Sequence, residues 1–198
     1  MADLQLEPQV LQGRFVRLEP YAEPLKEDLR RALDCDAESW VLFATSGQGA
    51  GFEGWWGRAT DEMAAGTRVP FAVRRLSDGG VIGTTSYLSI RPQDRGAEIG
   101  STFYQPHLRG GPVNPECKLL LLSHAFGAGA LRMQLVTDGR NLRSQAAIAK
   151  LGAVREGTLR KHKITWTGHV RDTVVFSITD EEWPAVRAGL EARLASHR

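Results

Sequence analysis

Apolar and polar positions along the chain fall into two periods. Phe15 and Arg17 set against Arg14, Val16 and Leu18 alternate through Gly13–Glu19, which predicts a short strand. Strands are predicted again at Val69–Arg75, Val81–Ile90, Glu98–Tyr104, Arg132–Val136, Ala153–Ile164 and Val170–Thr179. The first two of these flank Ser77-Asp78-Gly79-Gly80, strong turn chemistry for a hairpin. A stripe of Leu25, Leu29, Ala32 and Leu33 predicts a helix over 25–33. Further helices are predicted at Glu53–Ala65, Glu116–Phe126, Leu142–Leu151 and Glu181–Arg193, with Gly152 as the C′ residue closing the helix over 142–151. Ser46–Gly51 is glycine-rich and has no period, so it reads as a loop. Strands followed by helix–strand–helix–strand argue for an α/β (α+β) sheet, largely antiparallel with one parallel crossover. No repeat or linker interrupts residues 1–198, which read as one domain.

Within this pattern, Ala97–Gly157 stands out. The turn Arg109-Gly110-Gly111-Pro112-Val113-Asn114 lies between a β-rich run and an apolar helix. Adjacent glycines allow close backbone approach, and a helix N-terminus offers unpaired N–H groups to an anion. No Gly-Lys-Ser/Thr follows, and the spacing G-x-G-x-x-G is missing, so neither nucleotide fingerprint applies. An anion cradle of another kind remains.

The run from Gly110 to Phe126 is similar to the pattern G-x-G-V-N-x-E-A-K-L-L-L-L-x-H-A-F. Asn141–Gly157 matches N-x-R-S-x-x-A-x-x-K-L-G-A/F-x-x-E-G almost position for position. On these residues the chain resembles the GNAT superfamily of N-acetyltransferases, nearest its RimJ/RimL-like branch. The likeness spans nearly the whole chain, strongly after Ala97 and weakly before Pro70. It implies a GNAT-like mixed sheet of about six to seven strands with helices on both faces. It implies acetyl-CoA as co-substrate, acetyl transfer to a primary amine by direct attack in a ternary complex, and an acyl-CoA-binding core over about 97–157. Cofactor contacts carry over to Phe103, Tyr104, Arg109, Gly110, Gly111, Val113, Asn114, Asn141, Ser144, Ala147 and Lys150. Ser144 takes the general-acid position. The branch's other carboxylate, in the penultimate strand region, is replaced here by Lys163 or its neighbour His162. The family's Q/R-x-x-G-x-G/A motif stands here as His107-Leu108-Arg109-Gly110-Gly111-Pro112. Pro112 removes one N–H donor, which Arg109 is placed to offset. Members of the branch often pair, so a homodimer is expected.

An amine with pKa about 7.7–8.0 is partly neutral near pH 7, so a modest base suffices, whereas a thiolate leaving group benefits from a hydroxyl donor. Glu98 is the leading candidate base, ahead of His162 and Asp172. Trp55, Trp56 and Trp166 are candidate acceptor walls. Trp55 and Trp56 are adjacent and cannot share one helix face, so at least one is expected to reach a groove. A net charge of +2 is too small to mark a nucleic-acid surface. The five histidines have no metal-ligand spacing, the two cysteines no Cys-x-x-Cys, and the longest leucine run is far short of a membrane span. The N-terminus lacks the features of a secretory signal, so cytoplasm is the expected compartment. Two other readings stay open: a non-catalytic acyl-CoA-binding module, and a relative using a larger donor such as succinyl-CoA.

Overall fold

A computed structural model describes residues 3–197 of the chain. β1 (Leu11–Gln12) and β2 (Val16–Pro20) form an antiparallel hairpin. Its turn is held from a distance by the carboxylate of Glu116, which accepts from the N–H groups of Arg14, Phe15 and Val16, each at 2.7 Å. Gly13 leaves room for that carboxylate, since a Cβ there would lie 2.4 Å from its carbon.

α1 (Lys26–Leu33), α2 (Ala37–Trp40) and α3 (Phe52–Ala64) cover one face of the sheet. They bury Leu29, Leu33, Trp40, Phe52, Trp55, Trp56 and Ala59 with Tyr21 and Phe103. Trp56 stacks on Tyr21 at 4.6 Å between centroids, and Trp40 on Phe103 at 4.8 Å.

β3 (Val69–Arg75), β4 (Val81–Arg91) and β5 (Gly96–Tyr104) follow as antiparallel neighbours. α4 (Val113–Gly127) then crosses over to β6 (Arg132–Asp138), which runs parallel to β5. After α5 (Leu142–Ala149) come β7 (Val154–Ile164), β8 (Val170–Thr179) and α6 (Trp183–Ala195). The strands make one eight-stranded sheet, β1-β2-β3-β4-β5-β6-β8-β7, antiparallel except at β5/β6. On the second face Cys117, Leu121, Leu122 and Ala125 of α4 pack with Ile148 of α5 and Val186 and Leu190 of α6.

This is the mixed, mostly antiparallel sheet expected, with one strand more. The extra strand, β1, is two residues long, too short to show a period. α4 starts at Val113, three residues before the expected Glu116. Pro112 and Pro115 argue for a later start, but in a first turn they break no helical hydrogen bond. Asn114 therefore belongs to the helix.

Two irregularities in β5 shape the middle of the sheet. Against β4, Thr84 pairs with Phe103 and Ser86 with Gly100, so Ser101 and Thr102 together face Thr85. This is a β-bulge, and Ser101 takes φ +49° within it. Against β6, pairing is confined to Gly96–Glu98 with Arg132–Gln134. Beyond Glu98 the two strands part.

Candidate functional site

Where β5 and β6 separate, a cavity of about 860 Å³ opens, lined by residues 98–104 of one strand and 135–138 of the other. Backbone groups on these facing edges have lost their ladder partners. An extended ligand carrying amides can take up such bonds as an added strand would. The cavity also reaches residues from both faces of the sheet, including Ser39 and Arg68 on one side and Asn114 and Ala147 on the other.

On the α4 face lies the glycine turn. Gly110 has φ +83°, the left-handed region that glycine enters freely. Among the described residues, the N–H groups of Gly110, Gly111, Val113 and Asn114 are not spent on other backbone carbonyls. With the N-terminus of the fifteen-residue α4 behind them, they suit an anionic group. Arg109 does not reach into this turn alone: it pairs with Asp36 at 2.5 Å and sits 5.6 Å over the Phe103 ring. Asn141 caps α5, its Oδ1 accepting from Ser144 N–H at 2.9 Å. Ser144 lines the cavity, and its hydroxyl has no partner among the described residues. Lys118, buried on the inner side of α4, donates to Thr102 Oγ1 at 3.0 Å. Burial pulls its ammonium down to about 8.

Across the sheet the chemistry is ionic. Glu98 sits where the strands part, and burial pushes its carboxyl above the usual range, against the opposing pull of Lys163, Arg171 and a hydrogen bond from Gln134. Arg68, also buried, is held by Glu62 at 3.2 Å, by Ser86, and by Ser101 of the bulge at 3.2 Å. Asp138 accepts from Arg140 Nε at 3.0 Å, Nη2 at 2.8 Å and backbone N–H at 2.8 Å. Arg171 is 7% exposed and faces the same cavity.

Glu98, Phe103, Tyr104, Arg109, Gly110, Gly111, Asn114, Asn141, Ser144, Ala147 and Lys150 therefore all border one cavity, although they come from strand, turn and two helices. Val113 does not; its side chain is in the core beneath α4. The expected tryptophan wall is corrected as well. Trp55 and Trp56 are each 5% exposed and lie in the aromatic core of the α3 face, outside the cavity lining. Adjacent helical positions diverge by about 100°. Here Tyr21 fills the space between them, at 6.0 Å from Trp55 and 4.6 Å from Trp56, so neither ring reaches a groove. Trp166 is half exposed at the β7–β8 turn and donates to the Trp40 carbonyl at 3.0 Å, also outside the lining. His162 is exposed, and desolvation and the neighbouring cations lower its pKa; Asp172 accepts from Lys161 N–H at 2.7 Å. Cys117 is buried with its thiol pushed up to about 12, an inert packing residue.

Sequence reasoning does not single out Lys118, Arg68 or Arg171. A signal is present for the first: Lys118 shares the inward stripe of Leu121, Leu122 and Ala125. Arg171 carries one too, alternating with Thr173 and Ser177 opposite the core-facing Val174, Phe176 and Ile178. Among the described residues no three His, Cys, Asp or Glu side chains are grouped to hold a metal ion, and no helix is long and apolar enough to cross a membrane.

The acetyltransferase (GNAT) domain family matches residues 16–154, and the chain belongs to that family. It is accordingly an acyltransferase, of a family that takes acyl groups from acyl-CoA. Comparison with curated proteins gives no match. Among solved structures, a GCN5-related N-acetyltransferase from Brucella melitensis shares 28% identity, with TM-score 0.89 and 98% of this chain and 89% of that chain covered. A T. thermophilus protein assigned as an acetyltransferase shares 38%, with TM-score 0.84 and coverage of 96% and 99%. Mycobacterium smegmatis RimJ, solved in complex with CoA-disulfide, is alike in fold at 22% identity, TM-score 0.79 and coverage of 93% and 94%.

Proposed function

We propose that this protein is an acetyl-CoA-dependent N-acetyltransferase that acetylates a primary amine by direct attack in a ternary complex. The observation that carries the reading is the gap between β5 and β6. It joins an anion cradle on one face to the half-buried carboxyl of Glu98 on the other through one continuous cavity. The N–H groups at Gly110–Asn114 hold the CoA pyrophosphate, with Arg109 bordering them. The pantetheine arm lies along the open strand edges, in contact with Phe103, Tyr104, Asn141, Ala147 and Lys150. Ser144, its hydroxyl unspent, gives a proton to the departing sulfur. Glu98 takes a proton from the amine on the opposite face, where the acceptor enters. The acceptor is a protein N-terminus or a small-molecule amine.

The 198 residues act as one domain, consistent with the single sheet that runs from β1 to β8. We place the enzyme in the cytoplasm, where acyl-CoA is available. Self-association is favoured along edge strand β7, where Val154, Leu159 and Ile164 are 50%, 48% and 74% exposed. Thiol release from acetyl-CoA with a panel of amines, beside calorimetric binding of CoA, tests the central claim. Turnover is the expected result. Tight CoA binding with no turnover for any amine would make the protein a binding module instead.

A further inference from the structure

Arg171 is a buried arginine without a close ion pair, its nearest attractions being the more distant charges of Asp138 and Glu98. It is 7% exposed, its Nε is buried without a hydrogen-bond partner, and it forms no ion pair among the described residues. A buried guanidinium in that condition is costly, because no close partner compensates its desolvation in full. The carboxylates on the same face, Asp138 and Glu98, relieve it only in part, from a distance and without a hydrogen bond, and burial still pulls its pKa below the ordinary arginine value. Asp138 is held by Arg140 through three hydrogen bonds. Glu98 feels both Arg171 and Lys163 but pairs closely with neither.

Register explains how two cations come together here. Lys163 of β7 stands directly opposite Arg171 of β8, so both side chains project from one face. That register is reset by a bulge between Leu159 and Lys163, with Lys161 at φ +50°. Two residues along the same face, Thr173 Oγ1 is also buried without a partner. Lys163 and Arg171 both line the cavity, together with Glu98 and with the Asp138 that Arg140 already holds.

We infer that Arg171, supported by Lys163, is a carboxylate-binding subsite on the acceptor face of the cavity. The inference rests on the acyl-transfer reading and narrows its substrates. A planar guanidinium matches a carboxylate with paired hydrogen bonds, which a neutral ligand cannot replace. One reactant therefore carries a carboxylate close to its reacting group. It belongs either to the acceptor, as in an amino acid, or to the acyl chain of a dicarboxylic acyl-CoA.

Two kinetic arms separate the sources. One compares an α-amino acid with its amide, acetyl-CoA being the donor. The other compares succinyl-CoA with butyryl-CoA, one neutral amine being the acceptor. In one arm the carboxylate-bearing reactant is expected to win by about tenfold or more in kcat/KM, the scale of a charge-assisted hydrogen bond. Arg171→Met should remove that preference by raising KM for this reactant, with KM for the other reactant unchanged, and Arg171→Lys should restore part of it. No preference in either arm, or one that survives Arg171→Met, overturns the inference. Should Arg171→Met fail to fold, Lys163→Ala on the exposed edge strand should show the same change at smaller amplitude, and its absence counts against the subsite. If no donor and acceptor pair turns over, the acyl-transfer reading fails, and calorimetry with succinate still decides this one. Binding to the native protein that is lost in the variant supports the subsite; no binding to the native protein overturns it.

Discussion

Lys118 holds its ammonium against the cavity wall on a single side-chain hydrogen bond to Thr102, with no carboxylate paired to it among the described residues. Its pKa is about 8 in the folded protein, against 10.5 for an ordinary lysine. The unfolded chain therefore keeps a proton that the folded one has lost between pH 8 and 10.5, and stability due to this residue rises through that window. Below pH 8 it is charged in both states, and the cost of burying the charge is fully present. Lys118→Met is accordingly expected to melt higher than the native protein at pH 7, with the difference shrinking as pH passes from 8 to 10.5. Calorimetric melting across that range measures it, and a difference independent of pH would contradict the buried-charge account. Glu98 is shifted the other way, chiefly by burial. As a base it works only when deprotonated, so the rate should climb with pH through an apparent pKa above 4.5, the ordinary glutamate value. Glu98→Gln should erase that limb and lower kcat by roughly 10²-fold or more, the usual worth of a general base. A proton donor acts on the leaving group, so Ser144→Ala should lower kcat while CoA affinity stays near native. Equal losses of rate and binding would make Ser144 structural.

At the scale of elements, α4 does two jobs from neighbouring positions. Glu116 braces the first hairpin through three backbone N–H groups, while Lys118, two residues on, faces the cavity. Removing a carboxylate from three donors leaves all three unsatisfied, so Glu116→Ala should cost about 3 kcal/mol or more, read from denaturant unfolding. Gly13→Ala should be destabilising as well, because its Cβ would meet that carboxylate at 2.4 Å. The turn before α4 answers to a different measurement. Gly110 has open space around it but a left-handed backbone, so Gly110→Val strains the turn without a clash. CoA affinity should fall while the fold persists, and unchanged affinity would place the pyrophosphate elsewhere. Sequence period locates α4, and its first turn is obscured only by two prolines that a helix start tolerates. The long-range brace is not legible, because nothing near Glu116 in sequence hints that its partners lie at residues 14–16.

Across the whole molecule, the order of strands and helices is readable from period and turn chemistry, and the local motifs point to the cradle and Ser144. What sequence cannot show is where β5 and β6 part, since splaying depends on register between distant strands, as at Gly96 and Arg132. For the same reason the buried cations escape notice: Arg171 and Arg68 acquire meaning only when β8 and β3–β5 come to border one space. The tryptophans show the converse error, in which bulk and adjacency suggest a binding wall. Trp55 and Trp56 fill a core with Tyr21, Trp40 and Phe52, so alanine at either should cost about 3–5 kcal/mol and lower the melting temperature. Acceptor KM should be unaffected by them at temperatures where the variants stay folded. Trp166 differs, because half its surface is exposed and its indole N–H ties the β7–β8 turn to the Trp40 carbonyl. Its backbone N–H binds the Ala44 carbonyl at 3.1 Å, and residues 42–45 line the cavity beside the end of β7 that bears Lys163. Among the described residues, losing the indole removes one of the two hydrogen bonds by which Trp166 holds the β7–β8 turn to residues 40–44, while the core stays filled. Trp166→Ala should thus melt close to the native protein yet raise KM for the acceptor several-fold, with KM for acetyl-CoA unchanged. A fall in melting temperature as large as that of Trp56→Ala, with acceptor KM intact, would make all three rings packing residues and leave acceptor recognition to the charged groups around Glu98.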